Sequence, residues 1–424
     1  MSESFVHIQG IKIKNFKALH DVTLGKLWND QEGKPLTPIT AVIGKNGTGK
    51  SSLMDAFGFL ADCLIQGVEG ACDAKGRGGY SKIHSLDVPG PIEFEIYYKE
   101  SHNSRPITYE LAIDIDKQDR PYVLYERLRQ RRSGQRHGRP YSFLILDKGK
   151  GRVWKGHDGG SLEEDGKALS SEESADSELI SMDDKRRLGI ATLGTLTAHP
   201  RIAAFRKFIE GWYLSYFIPD AARSLPLAGA QRRLNVHGDN LGNVVQFMER
   251  DHPKKFQKIL DDIAKKIPGI QKIDTLKTDD GRLLLRFNDK GFANPFYAQQ
   301  MSDGTLKVFA YMLLLADPTP PPFICMEEPE NGLYHKLLKV LVEELRQQTT
   351  REKNAPQIFV TTHQPYLVDA LNPDEVWILT KEKDGFSTIK RASDIPLIQN
   401  LCAEGIPLGG LWYSDYLEDD HDTY

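Results

Sequence analysis

The segment Ile39-Thr-Ala-Val-Ile43, followed by Gly44-Lys-Asn-Gly-Thr-Gly-Lys50-Ser51, decides the fold of this chain. Its first part is largely apolar, as is typical of a parallel strand that is covered on both faces. Its second part fits the pattern GxxxxGK[ST]. An amphipathic helix is predicted to follow, because apolar residues recur on one helical face at Leu53, Phe57, Leu60 and Leu64. A strand, a glycine-rich turn and a helix in this order predict a phosphate-binding loop.

The residue types of this loop match what a bound nucleotide requires. Glycines allow backbone N–H groups to approach phosphates closely, and the N-terminus of the helix adds a partial positive charge. Lys50 is placed to reach the β- and γ-phosphates, and Ser51 to hold Mg²⁺. The predicted nucleotide contacts are Gly44, Asn46, Gly47, Gly49, Lys50, Ser51 and Ser52.

Two acids end a second short apolar strand, Phe323-Ile-Cys-Met-Glu327-Glu328. An acid at the carboxyl end of a strand beside a phosphate loop binds Mg²⁺ through water, and the next acid orients or deprotonates the attacking water. We therefore predict Glu327 as a metal ligand and Glu328 as a catalytic residue. The alternative is a pair of solvated acids at the start of a helix, where the helix dipole favours acids.

Two further segments add candidate site residues. The apolar strand Ile358-Phe-Val-Thr-Thr-His363 ends in a histidine that is placed to sense the γ-phosphate, although a lone histidine is also common as a structural residue. In the segment Gln300-Met-Ser302-Asp-Gly304, Ser302 or the aspartate after it suits the N-cap of a helix. The functional alternative is that Ser302 and Gly304 present a hydroxyl and backbone N–H groups to a phosphate.

These four elements, in this order, resemble the ATP-binding-cassette ATPases of the RecF, SMC and overcoming-lysogenization-defect group. In that group they are Walker A (residues 44–51), the signature motif (Ser302, Gly304), Walker B (Glu327, Glu328) and the switch histidine (His363). Residues 330–333 look like the D-loop, and the opening strand, Ile11-Lys-Ile-Lys-Asn-Phe16, is also similar. The segments Glu327-Glu-Pro-Glu-Asn-Gly332 and Thr361-Thr-His-Gln-Pro365 look most like those of the stand-alone ATPases of bacterial anti-phage and abortive-infection systems.

The resemblance implies a fold, a substrate and an assembly. The fold is an α/β P-loop NTPase of the ABC head type, built from both chain ends, with an antiparallel β-meander and an inserted helical region. The ligands are ATP and Mg²⁺. The assembly is a head-to-head homodimer, or a multiple of it, in which Ser302 of one subunit completes the ATP site of the other.

Three features of the sequence depart from the group's pattern. Walker B carries Glu327 where aspartate is usual, residues 67–117 contain no glutamine for a Q-loop, and Thr305 stands where transporter signatures have glutamine. These departures leave open how fast the chain hydrolyses ATP.

We expect three regions: a first ATPase lobe (residues 1–118), an insertion (119–295) and a second ATPase lobe (296–424). The insertion shows no sustained heptads, so we expect it to be compact rather than a long coiled coil. Only 61 residues follow His363, and we find no HExxH, HNH-like or CxxC pattern. We therefore expect no intrinsic nuclease.

Charge is distributed unevenly along the chain. Residues 127–139 hold six arginines and no acid, which suits DNA or RNA phosphates, a solvated hairpin tip, or neutralisation of the acidic loop 156–184. The candidate contacts are Arg127, Arg129, Arg131, Arg132, Arg136 and Arg139. The acidic tail, residues 415–422, is expected to be solvated.

The composition is that of an ordinary folded protein. The 424 residues are 40% hydrophobic and carry a net charge of −4, which argues against disorder and gives no overall attraction to nucleic acid. The longest apolar run, residues 308–316, is nine residues, whereas a membrane span needs about 20. Four scattered cysteines form no CxxC pair, so we expect a cytoplasmic protein with reduced thiols and no membrane contact.

The leading hypothesis is an ATP-hydrolysing sensor subunit of a two-component anti-phage system. It would control a separate nuclease or toxin, of Toprim or HNH type. The first alternative is a RecF-like ATPase of DNA repair and recombination. The second is an ATP-dependent scaffold with little turnover.

Overall fold

The structure is a computed structural model that describes residues 7–30, 32–101, 103–131, 140–155, 177–266, 269–317, 319–351 and 355–414. Within these ranges, two large sheets lie on opposite sides of one long helix, α1 (Lys50–Asp73). Phe57 of α1 packs on Phe323 and Phe359, with ring centroids 5.0 and 5.2 Å away. Phe59, about half a helical turn further on, packs instead on Phe16 and Phe94. The helix therefore joins both sheets into one core.

The first large sheet is antiparallel and eight-stranded. Its strands are β1 (His7–Phe16), β2 (Leu19–Gly25), β4 (Ile92–Lys99), β5 (Ile107–Ile115), β6 (Pro121–Gln130), β7 (Tyr141–Asp147), β8 (Lys150–Trp154) and β9 (Ser177–Ser181). They are ordered β2-β1-β4-β5-β6-β7-β8-β9. The predicted meander is confirmed, and it extends the sheet that the opening strand begins.

The second large sheet has six strands, all parallel except the last. They are β3 (Ile39–Ile43), β10 (Tyr213–Ser215), β14 (Phe323–Glu327), β15 (Gln357–Thr362), β16 (Val376–Lys381) and β17 (Ser387–Arg391), in the order β10-β14-β15-β3-β16-β17. Since β3 lies between β15 and β16, the predicted assembly of the α/β core from both parts of the chain is confirmed.

A small third sheet consists of β11 (Ile270–Lys277), β12 (Leu283–Asp289) and β13 (Phe296–Tyr297). The remaining helices are α2 (Tyr80–Ile83), α3 (Gly189–Leu193), α4 (Pro200–Glu210), α5 (Pro219–Ala222), α6 (Leu241–Asp251), α7 (Pro253–Lys266), α8 (Asp303–Leu315), α9 (His335–Thr349), α10 (Pro365–Val368), α11 (Pro396–Ala403) and α12 (Leu408–Tyr413). Strands β11 and β12 pair antiparallel as a hairpin around Gly281.

Apolar residues recur at helical spacing from Leu241 to Ile267, which predicts a helix over this segment. The structure corrects this prediction, because it has two helices, α6 and α7, that meet at His252. Proline at position 253 disfavours helical backbone in the residue before it, and His252 has φ −137° and ψ 47°. Proline is well tolerated at the first position of the next helix, where its missing N–H costs nothing.

Hydrogen bonding crosses both boundaries of the predicted three-region division. Strand β5 pairs with β6 across residues 118 and 119, and β12 pairs with β13 across residues 295 and 296. Strand β10, from the predicted insertion, pairs with β14 of the parallel sheet. The three predicted regions therefore share sheets with one another. Their division into two lobes and an insertion remains a prediction.

A buried carboxylate ties the antiparallel sheet to helix α3. Glu126 of β6 is fully buried, and it accepts hydrogen bonds from the backbone N–H groups of Gly189 and Ile190 and from the hydroxyl of Tyr109. Burial raises the pKa of Glu126 to about 7, although these hydrogen bonds oppose the rise.

Among the residues described, no helix is both long enough and apolar enough to cross a membrane.

Candidate functional site

The phosphate loop leaves the carboxyl end of β3 and enters α1 at Lys50. Gly49 has a φ of +103°, a left-handed conformation that strains any residue with a side chain. A Cβ on Gly44 would lie 2.5 Å from the carbonyl oxygen of Leu379, so glycine is required there as well. Asn46 and Gly47 are exposed on the loop, and Ser52 is half-buried in the first turn of α1.

The buried side chain of Lys50 folds back over this loop. Its ammonium donates hydrogen bonds to the carbonyl oxygens of Gly44 (2.7 Å) and Lys45 (3.1 Å). Burial lowers the pKa of Lys50, while the charges of Glu328, Glu330 and Glu327 act in the opposite direction. Lys50 is therefore a cation close to the carboxylates at and after the end of β14.

Ser51 and Glu327, the two predicted metal ligands, lie in direct contact. The Ser51 hydroxyl donates a hydrogen bond to Oε1 of Glu327, which ends strand β14. Hydroxyl and carboxylate oxygens suit Mg²⁺, which uses one or two protein ligands together with phosphates and water. In the described part of the chain no cluster of three or more His, Cys, Asp or Glu residues forms a metal cage. This donor pair therefore fits an ion that arrives with the nucleotide.

Glu328 and His363 also lie together. Oε1 of Glu328 is 3.2 Å from Nδ1 of His363, and Oε2 accepts a hydrogen bond of 2.8 Å from Asn331. Burial opposes ionisation of Glu328, but the Asn331 hydrogen bond and the neighbouring His363 and Lys50 hold its pKa below the ordinary value. An ionised carboxylate at this position can accept a proton. Asn331 belongs to the predicted D-loop but was not among the predicted site residues.

The backbone at Glu328 is itself unusual. Its φ is +41°, and its N–H donates to the carbonyl oxygen of Thr361 (3.1 Å) on the neighbouring strand β15. A residue with a side chain adopts this conformation only when its surroundings fix it, and such residues concentrate at functional sites.

Glu330 is a site residue that the sequence reasoning missed. Only 3% of it is exposed, and its Oε1 accepts hydrogen bonds from the hydroxyl of Thr362 (2.6 Å) and the backbone N–H of His363 (3.1 Å). Burial raises the pKa of Glu330, while these hydrogen bonds oppose the rise. The signal in the sequence was a third acid two residues after Glu328, but its burial depends on tertiary packing.

Lys307 of helix α8 was missed for the same reason. Its buried ammonium donates to the carbonyl oxygens of Asn331 (2.8 Å) and Glu328 (3.4 Å). Burial lowers the pKa of Lys307, against the charges of Glu330, Glu328 and Asp303. A lysine inside an otherwise apolar helix was the available signal. Through this side chain, α8 contacts the backbone of the Walker B segment.

The two signature residues lie at the start of α8. Ser302 is the N-cap, and its hydroxyl oxygen accepts a hydrogen bond from the N–H of Thr305 (3.3 Å). A Cβ on Gly304 would lie 2.9 Å from the carbonyl oxygen of Gly332, so the predicted D-loop packs directly on this turn. Within the described structure, neither Ser302 nor Gly304 forms a hydrogen bond with the phosphate loop.

The predicted arginine-rich hairpin tip is corrected at its first two arginines. Arg127 and Arg129 lie inside strand β6, and both form ion pairs with Glu110 on β5. The guanidinium of Arg129 also stacks 4.0 Å from the ring of Trp28. Both arginine side chains therefore already have partners within the protein. Arg131 follows the strand, whereas Arg132, Arg136, Arg139, most of the acidic loop and the acidic tail lie outside the described residues.

The fold and the site define a class of protein: a P-loop ATPase of the ABC type, with the architecture of the SMC head group. The chain belongs to the family described as an AAA domain, putative AbiEii toxin, type IV toxin–antitoxin system, whose profile matches residues 39–369. None of the curated proteins matches it significantly.

A solved Smc head shares this fold. The chain is similar to an Smc head bound to the C-terminal winged-helix domain of ScpA, at 16% identity and a TM-score of 0.51, covering 91% of this chain and 97% of that one. It also matches a Pyrococcus furiosus Smc head that carries an extended coiled coil and is bound to the C-terminal domain of ScpA. That match has 13% identity, covers 94% of this chain and 99% of the other, and has a TM-score of 0.46.

Proposed function

We propose that this chain hydrolyses ATP with Mg²⁺, and that the side chains around Lys50 carry out the chemistry. The observation that carries the proposal is the meeting of three chain segments at the phosphate loop. Ser51 contacts Glu327, Glu328 contacts His363, and Lys50 faces the same carboxylates. This arrangement suits phosphoryl transfer to water, which depends on positioning and charge neutralisation.

Each residue has a distinct role in this proposal. Lys50 exchanges its two carbonyl partners for phosphate oxygens, and Ser51 and Glu327 hold Mg²⁺, which neutralises phosphate charge when it is bound. Glu328, whose pKa is held low, accepts the proton of the attacking water. In this proposal His363 orients Glu328 through Nδ1 and senses the γ-phosphate.

We further propose a head-to-head homodimer, or a multiple of it. Ser302 caps helix α8, and in the described residues it forms no hydrogen bond with the phosphate loop of its own chain. A hydroxyl and free N–H groups at a helix start are suited to a phosphate. In the dimer, Ser302 and Gly304 of one subunit would complete the ATP site of the other.

At the level of the cell, we propose that ATP state in this dimer controls a separate nuclease or toxin in anti-phage defence. The support is the toxin–antitoxin description of the family together with the four ATPase motifs. Direct contact with DNA or RNA belongs to the same proposal. A test is phage plating on bacteria that carry the gene with its native neighbours. Protection that survives Lys50→Ala would contradict ATP control.

The biochemical test compares wild type with Lys50→Ala and Glu328→Gln. Wild type should hydrolyse ATP, and Lys50→Ala should lose ATP binding. Glu328→Gln should bind ATP but hydrolyse it at least about 100-fold more slowly, since general-base catalysis contributes about 10²–10⁴-fold. Light scattering should show an ATP-dependent dimer of Glu328→Gln. Equal turnover by wild type and Glu328→Gln would refute the role of Glu328.

A further inference from the structure

Arg223, from the predicted insertion, forms hydrogen bonds with the residues on both sides of Ser302 in the signature turn. Arg223 follows helix α5, and its Nη2 donates to the carbonyl oxygen of Met301 (2.8 Å) and to the carboxylate of Asp303. These two residues flank Ser302. The connection is reciprocal, because the side-chain amide of Gln299 donates to the carbonyl oxygen of Arg223 (2.7 Å).

The exposure of the partners indicates which contact matters. The Arg223 side chain is 20% exposed, whereas Asp220, its third partner, is 90% exposed. An ion pair with so exposed an acid contributes little. The contacts to Met301 and Asp303 instead both come from Nη2, and the rigid plane of the guanidinium fixes the directions of its N–H bonds. The hydrogen bond with Asp303 is also the main cause that raises the pKa of Arg223.

The negative charge of Asp303 lies where it would oppose phosphate binding, and Arg223 is the residue that neutralises it. Asp303 lies in the first turn of α8, next to the serine that would meet a phosphate, and its side chain is 58% exposed. A carboxylate there stabilises the helix dipole but repels a triphosphate. The guanidinium of Arg223 is permanently charged and cancels that negative charge.

We propose that Arg223 is a positioning residue that orients Ser302 and neutralises Asp303, so that the signature turn can accept the ATP of a second subunit. This inference rests on the proposed dimer. It makes Arg223 part of the composite site, although this residue lies far from the ATPase motifs in sequence. Whatever moves this residue would change assembly without touching the phosphate loop of the same subunit.

The test measures two affinities in the Glu328→Gln background. One is the affinity of dilute monomer for ATP, and the other is the dissociation constant of the ATP-dependent dimer, obtained by analytical ultracentrifugation. Arg223→Ala should leave the first unchanged and weaken the dimer at least about 10-fold, the scale of a lost charge-assisted hydrogen bond. Arg223→Lys, which keeps the charge but loses the planar guanidinium, should weaken the dimer by an intermediate amount. Asp220→Asn is the matched control and should stay within about 2-fold.

A double variant tests the electrostatic step. Removing the charge of Asp303 should relieve the defect, so Arg223→Ala with Asp303→Asn should form a tighter dimer than Arg223→Ala alone. A double variant that is no better would overturn that step. An Arg223→Ala dimer as tight as the Asp220→Asn dimer would overturn the whole inference. Absence of an ATP-dependent dimer in Glu328→Gln with Arg223 intact would instead contradict the proposed function.

Discussion

The hydroxyl of Thr362 donates a hydrogen bond of 2.6 Å to the buried carboxylate of Glu330. The same carboxylate oxygen accepts the backbone N–H of His363. The indole N–H of Trp412 donates to the carbonyl oxygen of His363 (3.2 Å) on the other side of that residue. The backbone of the switch histidine is thus held at both its N–H and its carbonyl group, which leaves the imidazole facing Glu328.

We predict that Glu330→Ala lowers kcat about 10- to 100-fold with little change in the KM for ATP. The substitution leaves the Thr362 hydroxyl and the His363 N–H without a buried acceptor, at a cost of about 1–3 kcal/mol for such a group. Glu330→Gln keeps an acceptor oxygen and should retain most of the activity. Steady-state ATPase assays measure both, with the exposed Glu343→Ala on α9 as control. A wild-type kcat in Glu330→Ala would show that His363 needs no such support.

The contact between Ser51 and Glu327 predicts the Mg²⁺ dependence. Glu327→Gln removes the negative charge from the donor pair, so the Mg²⁺ concentration for half-maximal ATPase activity should rise about 10- to 100-fold, the range seen when groups around a metal are altered. Glu327→Asp keeps the charge but withdraws it by one methylene, and should raise that concentration less. Mg²⁺ titrations at fixed ATP measure the effect. An unchanged midpoint in Glu327→Gln would remove Glu327 from the metal site.

Glu126 predicts a pH dependence of stability. Its pKa is about 7 in the folded protein, against an ordinary value of 4.5. Between these values the unfolded chain releases a proton that the folded chain keeps, so the free energy of unfolding falls as pH rises from about 4.5 to 7 and is then flat with respect to this group. The loss is on the order of 3 kcal/mol at about 1.4 kcal/mol per pH unit.

Thermal unfolding at pH 5 and pH 8 measures this prediction. Glu126→Gln cannot ionise, so its midpoint should fall less between the two pH values than the wild-type midpoint does. Glu404→Gln, an exposed carboxylate after helix α11, should behave as wild type. Parallel behaviour of Glu126→Gln and wild type would show that another group dominates the pH dependence.

Helix α1 predicts a contrast between two of its residues. Phe57 is fully buried among Trp212, Phe323 and Phe359, so Phe57→Ala should destabilise the fold by about 3–5 kcal/mol. Ile65 is 69% exposed on the same helix, and Ile65→Ala should change stability by less than about 0.5 kcal/mol. Thermal or urea unfolding compares them. Similar losses from both would contradict the placement of α1 between the sheets.

Local sequence patterns predicted the parallel sheet and the centre of the site. Apolar strands that end in Gly44, in Glu327 and Glu328, and in His363 are each readable within a few residues. Because parallel strands end at one edge of a sheet, the residues at and after their carboxyl ends lie close together. The contacts of Ser51 with Glu327 and of Glu328 with His363 have that origin.

Residues whose role depends on burial could not be predicted in the same way. Glu330 and Lys307 are ionisable, and nothing local says that packing removes both from water. Arg129 was a candidate nucleic-acid contact, and nothing local shows that it pairs with Trp28, in the turn after β2, and with Glu110 on β5. Arg223 carried no signal at all, since its partners lie about 80 residues further along the chain.

The position of β3 also constrains how the protein is made. Its hydrogen-bonded neighbours in the sheet are β15 and β16, and Ile39 pairs with Ile358, which the ribosome adds more than 300 residues later. At roughly 5–20 residues per second, the strand that carries the phosphate loop waits on the order of 15 to 60 s for its neighbours. During that time the nascent chain exposes an apolar strand with unpaired edges, which makes it a natural client for chaperones. Nucleotide capture thus becomes a late event of biosynthesis.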